Sequence, residues 1–169
     1  MATDNLNFCS PSQLAENMEE STRLLGVDLG SKTIGLAVSD PSLKIASPIT
    51  TLKRSKMSSN ATEFSKIIEN YHIGGIVVGL PINMDGTEGP RVQATRDWSL
   101  DLAKTLIMPV AFWDERLSTV AVERMMLKAD MTRSRRAVKI DQAAAAYILQ
   151  GALDNIWMQN SRNQMPSTK

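Results

Sequence analysis

Short apolar runs along the chain predict five β-strands. The first two runs flank Gly-Ser-Lys-Thr, as the two arms of a β-hairpin do. The fourth run is continuously apolar and stops at Pro81, which is typical of a strand that is covered on both faces. The predicted strands are Leu24–Asp28, Ile34–Ser39, Ile45–Thr51, Gly75–Leu80 and Val110–Trp113.

Four further segments predict helices, the first because its apolar residues recur at the i, i+3, i+4, i+7 spacing of one helix face. The predicted helices are Thr62–Tyr71, Arg91–Thr105, a helix capped by Ser118 or Thr119 that runs to Leu127, and Asp141–Trp157. The order of the elements predicts an α/β three-layer fold with helices on both faces of a mixed sheet. Its first three strands are antiparallel neighbours, and the first, fourth and fifth run parallel because helices connect them.

Polar segments bound this region at both ends. Residues 1–22 are polar and irregular, apart from one expected helical turn around Ser12–Met18, and predict a flexible N-terminal extension. Residues 159–169 are similarly polar and predict a flexible C-terminal tail. The sequence therefore predicts one folded domain over residues 23–158.

Composition says more about the cellular compartment of the protein than about its function. Lys and Arg number 19 and Asp and Glu number 18, so net charge alone does not indicate a nucleic-acid partner. The single cysteine, Cys9, excludes an internal disulfide and a cysteine-based zinc site, and it fits a reducing compartment. No apolar run approaches the roughly 20 residues that span a bilayer, and the acidic N-terminus is unlike a mitochondrial presequence. We expect a cytoplasmic protein without a membrane partner.

Three acids occupy related positions in the predicted fold. Asp28 ends the first strand, Glu115 follows the fifth, and Asp141 opens the last predicted helix. In open α/β sheets, ligand sites collect outside the carboxyl ends of parallel strands. We therefore expect the three carboxylates to converge at one edge of the sheet.

Three converging carboxylates repel one another unless a cation lies between them. Mg²⁺ prefers a few carboxylates together with water and phosphate oxygens. Two such ions about 3.5–4 Å apart can activate a water and stabilise the leaving oxygen of a phosphodiester. The chemistry that this predicts is hydrolysis of a nucleic-acid backbone.

Each acid taken alone also has an ordinary structural explanation. Asp28 is a common type of turn former after a strand, and Glu115 could form a surface ion pair with its neighbour Arg116. Asp141 could be an acid favoured by the dipole in the first turn of a helix. The functional interpretation depends on the three acids together.

Four stretches resemble the motif blocks of the YqgF/RuvX family: GVDLGSKTIGLAVSD, IVVGLPINMDGTEGP, WDERLSTVAVERMM and KIDQAAAAYILQGALD. The resemblance covers about residues 23–155. It implies a ribonuclease H-like fold with a central five-stranded sheet. Family members are described as Holliday junction resolvases and as nucleases that process the 5′ end of the precursor of 16S ribosomal RNA.

The resemblance also implies roles for the three acids. Asp28 matches the acid of the family's first-strand block, Glu115 that of its DER block, and Asp141 the acid of its last block. By resemblance they are the catalytic residues and the ligands of Mg²⁺ or Mn²⁺. Nuclease processing of pre-16S ribosomal RNA is the function expected first.

Polar and basic residues near the acids are candidates for substrate binding. Lys32 and Thr33 offer a cation and a hydroxyl at the hairpin tip, and Arg116 can bind a phosphate with two hydrogen bonds or orient a carboxylate. The loop after the fourth strand can direct donors at a phosphate near a helix N-terminus, or form a plain Asp-Gly turn. A basic loop over residues 128–139 can neutralise phosphates, or be an ordinary charged surface. The loop candidates are Asn83, Gly86 and Thr87, and the basic-loop candidates are Arg133, Arg135, Arg136 and Lys139.

Other functions stay open at the level of sequence. A Holliday junction resolvase would use the same carboxylates on branched DNA, and would favour a homodimer over a monomer because two strands are cut. A non-catalytic nucleic-acid-binding factor in the assembly of the ribosomal precursor particle is the alternative of another class. The first hairpin also resembles that of the actin-like ATPases, but those proteins close two such domains over a nucleotide.

Overall fold

The fold is taken from a computed structural model that describes residues 8–117 and 133–165, with the side chains of residues 117 and 133–139 outside that description. Its strands are β1 (Arg23–Leu29), β2 (Thr33–Ser39), β3 (Ala46–Lys53), β4 (Ile73–Leu80) and β5 (Val110–Asp114). Its α-helices are α1 (Pro11–Glu16), α2 (Met57–Tyr71), α3 (Pro90–Leu106) and α4 (Arg133–Asn163), and a 3₁₀ turn covers Glu115–Leu117.

The five strands form one mixed sheet in the order β3-β2-β1-β4-β5. The pairs β1–β2 and β2–β3 are antiparallel, whereas β1–β4 and β4–β5 are parallel. The predicted sheet is confirmed, with strand ends within two residues of the expected ones. Because β4 lies between β1 and β5, the carboxyl ends of these three strands meet at one edge.

Two apolar cores cover the two faces of the sheet. On one face, side chains of α2 and α3 such as Phe64 and Leu102 pack against Val27 and Leu36. On the other face, α1 and α4 pack against the alternate residues of the same strands. The three-layer α/β architecture expected from the sequence is confirmed, and it fixes which residues of β1 face α4.

The N-terminal segment differs from the sequence prediction over the part that the structure describes. Residues 8–22 contain α1, whose first turn is closed by a capping box between Ser10 and Gln13. Leu14 is 1% exposed and packs where Gly75 leaves room for it. Cys9 also bridges Ala111 on the edge strand β5. Polar composition predicted a flexible extension, but one buried leucine attaches this segment to the core.

Helix α4 also differs from the prediction, because it begins at Arg133 and not at Asp141. The acid suggested a helix start, yet Arg, Ala and Lys before it are good helix formers and no Gly or Pro interrupts them. The predicted basic loop is therefore helical over residues 133–139. Its remainder and the predicted helix from Ser118 to Leu127 lie outside the described residues.

Helix α2 begins at Met57, five residues before its predicted start at Thr62. The segment 57–61 carries serines and an asparagine, which favour non-helical backbone when they stand alone. Here Asn60 is fully buried, and its side chain bonds to the backbone of Lys53 and Ser55, in the segment before the helix. None of the described helices is long and apolar enough to cross a membrane.

We expect Leu14→Ala to lower the free energy of unfolding by about 2–5 kcal/mol, as for other buried leucines. Denaturation with urea measures the change. Met158→Ala is the matched control, because Met158 is 58% exposed and its truncation should change stability by less than about 0.5 kcal/mol. Equal effects of the two substitutions would show that α1 is not part of the folded core.

Candidate active site

Asp28 and Glu115 approach each other across the end of β4. Asp28 lies on β1 and Glu115 directly follows β5, so the strand between them must leave space for one side chain to cross. Gly79 provides that space, since a Cβ atom there would overlap Oε1 and Cγ of Glu115. The two carboxyl groups lie close enough that each shifts the pKa of the other.

Asp141 reaches the same place from the helix layer. Gly35 is the residue of β2 that pairs with Asp28, and a Cβ atom on it would overlap the carbonyl group of Asp141. Helix α4 therefore crosses the sheet in contact with the backbone of β2, directly beside Asp28. Oδ2 of Asp141 accepts a hydrogen bond of 2.6 Å from Oγ1 of Thr33, which fixes the orientation of its carboxylate.

The structure excludes the ordinary explanation for each acid. Asp28 lies within β1, paired with Gly35, so it does not form the turn. Arg116 binds Asp114 and not Glu115. Asp141 lies two turns inside α4, which has no acid in its first turn, so the helix dipole does not account for it. What the three acids share is their position around one point at the end of the sheet.

The electrostatics of the site reflect this crowding. Burial raises the pKa of Asp28, and the negative charge of Asp141 raises it further. Burial and then the charge of Asp28 raise the pKa of Glu115. The interaction between the two side chains lowers the pKa of Asp28 and raises that of Glu115 further.

The donor set fits a hard divalent cation. Its donors are carboxylate oxygens, which suit Mg²⁺ and Mn²⁺ better than softer metals. Over residues 8–117 and 133–165, no three His, Cys, Asp or Glu residues stand in a ready-made metal-binding group. Asp28 and Glu115 lie close together, and Asp141 accepts a hydrogen bond from Thr33. Asp28, Glu115 and Asp141 are the residues that would hold such a cation.

The predicted phosphate donors in the loop after β4 are bonded within that loop. Nδ2 of Asn83 donates to Oγ1 of Thr87 at 3.0 Å, and Oγ1 of Thr87 donates to Oδ1 of Asp85 at 2.6 Å. The amide of Gly86, which has a φ of 87°, donates to the carbonyl of Asn83 at 2.8 Å. These three residues shape the loop beside Glu115 and keep it rigid.

The other predicted substrate-binding residues have different positions. Arg116 makes a two-point ion pair with Asp114 and lies 3.4 Å from where a Cβ of Gly86 would be, so it connects β5 to the loop after β4. Lys32 is exposed at the hairpin tip, and Thr33 holds Asp141. The backbone of residues 133–139 enters α4 toward Asp141, but the side chains of Arg133, Arg135, Arg136 and Lys139 lie outside the description.

Sequence reasoning missed three residues of the site. Arg91, in the first turn of α3, lies close enough to Asp28 and Glu115 that its charge lowers the pKa of both. Gly35 and Gly79 are the glycines that admit Asp141 and Glu115. A glycine inside a strand marks close approach by other groups, and that signal was present in both β2 and β4.

A cavity of about 630 Å³ lies at the end of the sheet where Val110 begins β5, and its lining includes Phe8, Gln13 and Ile107. No charged residue lines it. The acids stand at the other end, at the carboxyl edge of the parallel strands β1, β4 and β5.

The sequence matches known proteins over the same region. The profile of the RuvX family, described as Holliday junction resolvase, matches residues 22–155. A protein of Paramagnetospirillum magneticum named "Putative pre-16S rRNA nuclease" is 51% identical over 86% of this chain and 94% of its own length. A protein of Roseobacter denitrificans with the same name is 56% identical over 79% of this chain and 83% of its own length.

The fold also matches a solved structure. The T. thermophilus RuvC in complex with a Holliday junction substrate has a TM-score of 0.52 and 14% sequence identity, and covers 82% of this chain and 96% of that one. The likeness is one of fold, and it confirms the ribonuclease H-like α/β architecture.

We expect Gly79→Ala to weaken the binding of Mn²⁺ by about 10-fold or more, the range typical of groups that orient metal ligands. The added methyl group occupies the path of the Glu115 side chain. Calorimetric titration of the variant measures the affinity. Gly89→Ala is the control, since its Cβ would meet Nδ2 of Asn83 at an ordinary 3.6 Å. Undiminished affinity in Gly79→Ala would mean that the crossing of Glu115 over β4 is not needed for metal binding.

Proposed function

The chain belongs to the RuvX family of Holliday junction resolvases, and from that premise we propose that it is a divalent-metal-dependent nuclease that processes the 5′ end of pre-16S ribosomal RNA. The observation that carries the proposal is the proximity of Asp28 to Glu115 and Asp141 at the carboxyl edge of the parallel strands. The name shared by the relatives directs the choice of RNA substrate. The reaction is hydrolysis of a phosphodiester bond.

The residues of the site have separate tasks in this reaction. Asp28, Glu115 and Asp141 would hold Mg²⁺ or Mn²⁺, which when bound supplies Lewis-acid stabilisation to the reacting phosphate. Thr33 keeps the Asp141 carboxylate directed at the site through its hydrogen bond. Arg116 and Asp114 hold the loop after β4 against the end of β5.

Arg91 is placed to bind the scissile phosphate. It is exposed in the first turn of α3, and its guanidinium group makes no hydrogen bond or ion pair with the described residues. Its charge reaches both Asp28 and Glu115. A guanidinium group can give two hydrogen bonds to a phosphate and stabilise the charge that builds up during hydrolysis.

The family description supports one second candidate, resolution of Holliday junctions in DNA. The same carboxylates can hydrolyse either backbone. A resolvase must cut two strands symmetrically and therefore acts as a dimer, whereas trimming of one RNA end requires a single site. For the RNA reaction, the partner is the ribosomal precursor particle and the compartment is the cytoplasm.

The deciding experiment compares cleavage of a 5′-extended 16S precursor RNA with cleavage of a four-way DNA junction, in Mg²⁺ or Mn²⁺. We expect metal-dependent cleavage of the RNA, and a loss of about 1,000-fold or more in Asp28→Asn and in Glu115→Gln, because several kcal/mol of transition-state stabilisation is removed. Asp101→Asn, an exposed acid on α3, is the control and should cleave normally.

Each other outcome identifies a different function. Preferential cutting of the junction by a dimer would favour the DNA resolvase. Tight binding of RNA without cleavage in either metal would favour the non-catalytic assembly factor. Activity that survives Asp28→Asn would exclude the carboxylate site.

We expect Arg91→Gln to bind Mn²⁺ more tightly than the wild type and yet to cleave about 10- to 100-fold more slowly. The first effect follows because a neighbouring cation is removed, and the second because a charge-assisted hydrogen bond of about 1.5–3 kcal/mol is lost. Metal titration and single-turnover cleavage measure the two effects. Arg162→Gln, at the far end of α4, should change neither. If Arg91→Gln bound Mn²⁺ more tightly and also cleaved faster, the role given to Arg91 would be contradicted. Weaker Mn²⁺ binding together with slower cleavage would contradict it as well.

A further inference from the structure

The hairpin end of the sheet carries cations without acids. Between Leu29 and Thr62 the sequence contains five basic residues, and its only acid is Asp40. Asp40 follows the end of β2 that lies away from the carboxylate site. At the other end stand three exposed lysines, which we call the lysine ridge: Lys32, Lys53 and Lys56.

Hydrogen bonds to the backbone hold the ridge in a fixed shape. Arg54 binds the hairpin tip twice, through its amide to the carbonyl of Lys32 at 2.9 Å and through Nη1 to the carbonyl of Gly30 at 2.9 Å. The fully buried Asn60 donates to the carbonyl of Lys53 at 3.0 Å and accepts from the amide of Ser55 at 2.9 Å. The segment between β3 and α2 is therefore rigid, although it is exposed.

The ridge adjoins the carboxylate site. Lys53 is the sheet partner of Thr33, whose hydroxyl binds Asp141. Directly paired residues of antiparallel strands have Cα atoms about 4.5–5.5 Å apart and project from the same face. Lys53 thus stands one strand beyond Thr33, on the face where Asp28 and Asp141 meet. Lys32 lies at the hairpin tip, directly before Thr33 in the chain.

The three lysines are free to bind an anion. Within the described part of the chain none of them makes an ion pair, and all three are exposed. Three unpaired cations on a rigid frame, next to a site for phosphodiester chemistry, have the chemistry of a phosphate-binding surface.

We propose that the lysine ridge binds the backbone phosphates of the nucleic-acid strand as it leaves the carboxylate site, so that the substrate runs across the ends of β2 and β3. This inference rests on the proposed nuclease function and adds the path of the substrate. The contacts go to phosphates, so they are independent of base sequence. By binding phosphates on one side of the scissile bond, these contacts position that bond at the carboxylates.

The test measures binding separately from cleavage. A fluorescent 5′-extended 16S precursor RNA fragment is titrated with the full chain in EDTA, where no cleavage occurs, over a range of salt concentrations. Each phosphate contact contributes about 0.7–0.9 to the slope of log affinity against log salt. We expect Lys53→Gln/Lys56→Gln to reduce the slope by about 1.5, and Lys32→Gln to reduce it by about 0.8. With Mg²⁺ added, KM rises in the same variants.

The matched control is Lys66→Gln/Lys104→Gln, which removes two equally exposed lysines from the outer surfaces of α2 and α3. It removes the same net charge, so an unchanged slope in the control and a reduced slope in the ridge variants would support the proposal. Equal slopes in both double variants would overturn it. If the wild type binds and cleaves while the ridge variants bind as it does, only the ridge inference fails. If the wild type neither binds nor cleaves the RNA, the proposed function fails with it.

Discussion

The close approach of two acids, Asp28 and Glu115, is the constraint around which the fold is arranged. Partial burial disfavours the ionised form of each, and their proximity disfavours it further. Such an arrangement persists only when the surrounding structure holds both groups in place. Here a central strand holds one acid and the end of an outer strand holds the other, and the sheet between them keeps their separation constant.

The fold also requires glycine at three positions on one face of the sheet. Gly26, Gly35 and Gly79 lie on the face toward α4, and a Cβ atom at any of them would overlap the helix or the side chains around it. Glycine weakens a strand, because it loses more backbone entropy on folding and packs no side chain. These positions therefore exchange some sheet stability for the close approach of Asp141 and Glu115.

Charge is arranged in zones around the carboxylates. Acids occupy the centre, the lysine ridge lies on the β2–β3 side, and Arg91 lies on the α3 side. With a divalent cation held by the acids, as proposed, this arrangement of positive charge would complement a polyanion. A small anion would not need cations spread so widely, whereas a nucleic-acid strand carries a phosphate at every step.

Much of the architecture was predictable from local pattern. The five strands and the three acids could be read from apolar periodicity and from residues at strand ends, because both signals lie within a few neighbouring residues. The position of β5 at the edge, with β4 between it and β1, is shown only by the structure. The start of α4 and the docking of α1 could not be read in this way. Helix α4 begins before Asp141, because the residues that precede this acid also have high helix propensity. For α1, one buried leucine outweighed a polar composition.

The sequence by itself determined the chemistry that is available: the strands, the three carboxylates and the cations near them. Only the tertiary structure decided which polar groups are partners. Thr33 is separated from Asp141 by 108 positions and was expected to bind phosphate, yet it holds a carboxylate. Arg116 binds Asp114 and leaves Glu115 to Asp28. The pairing of Thr33 with Asp141 depends on how closely α4 approaches the sheet, and Gly26 and Gly35, on neighbouring strands, permit that close approach.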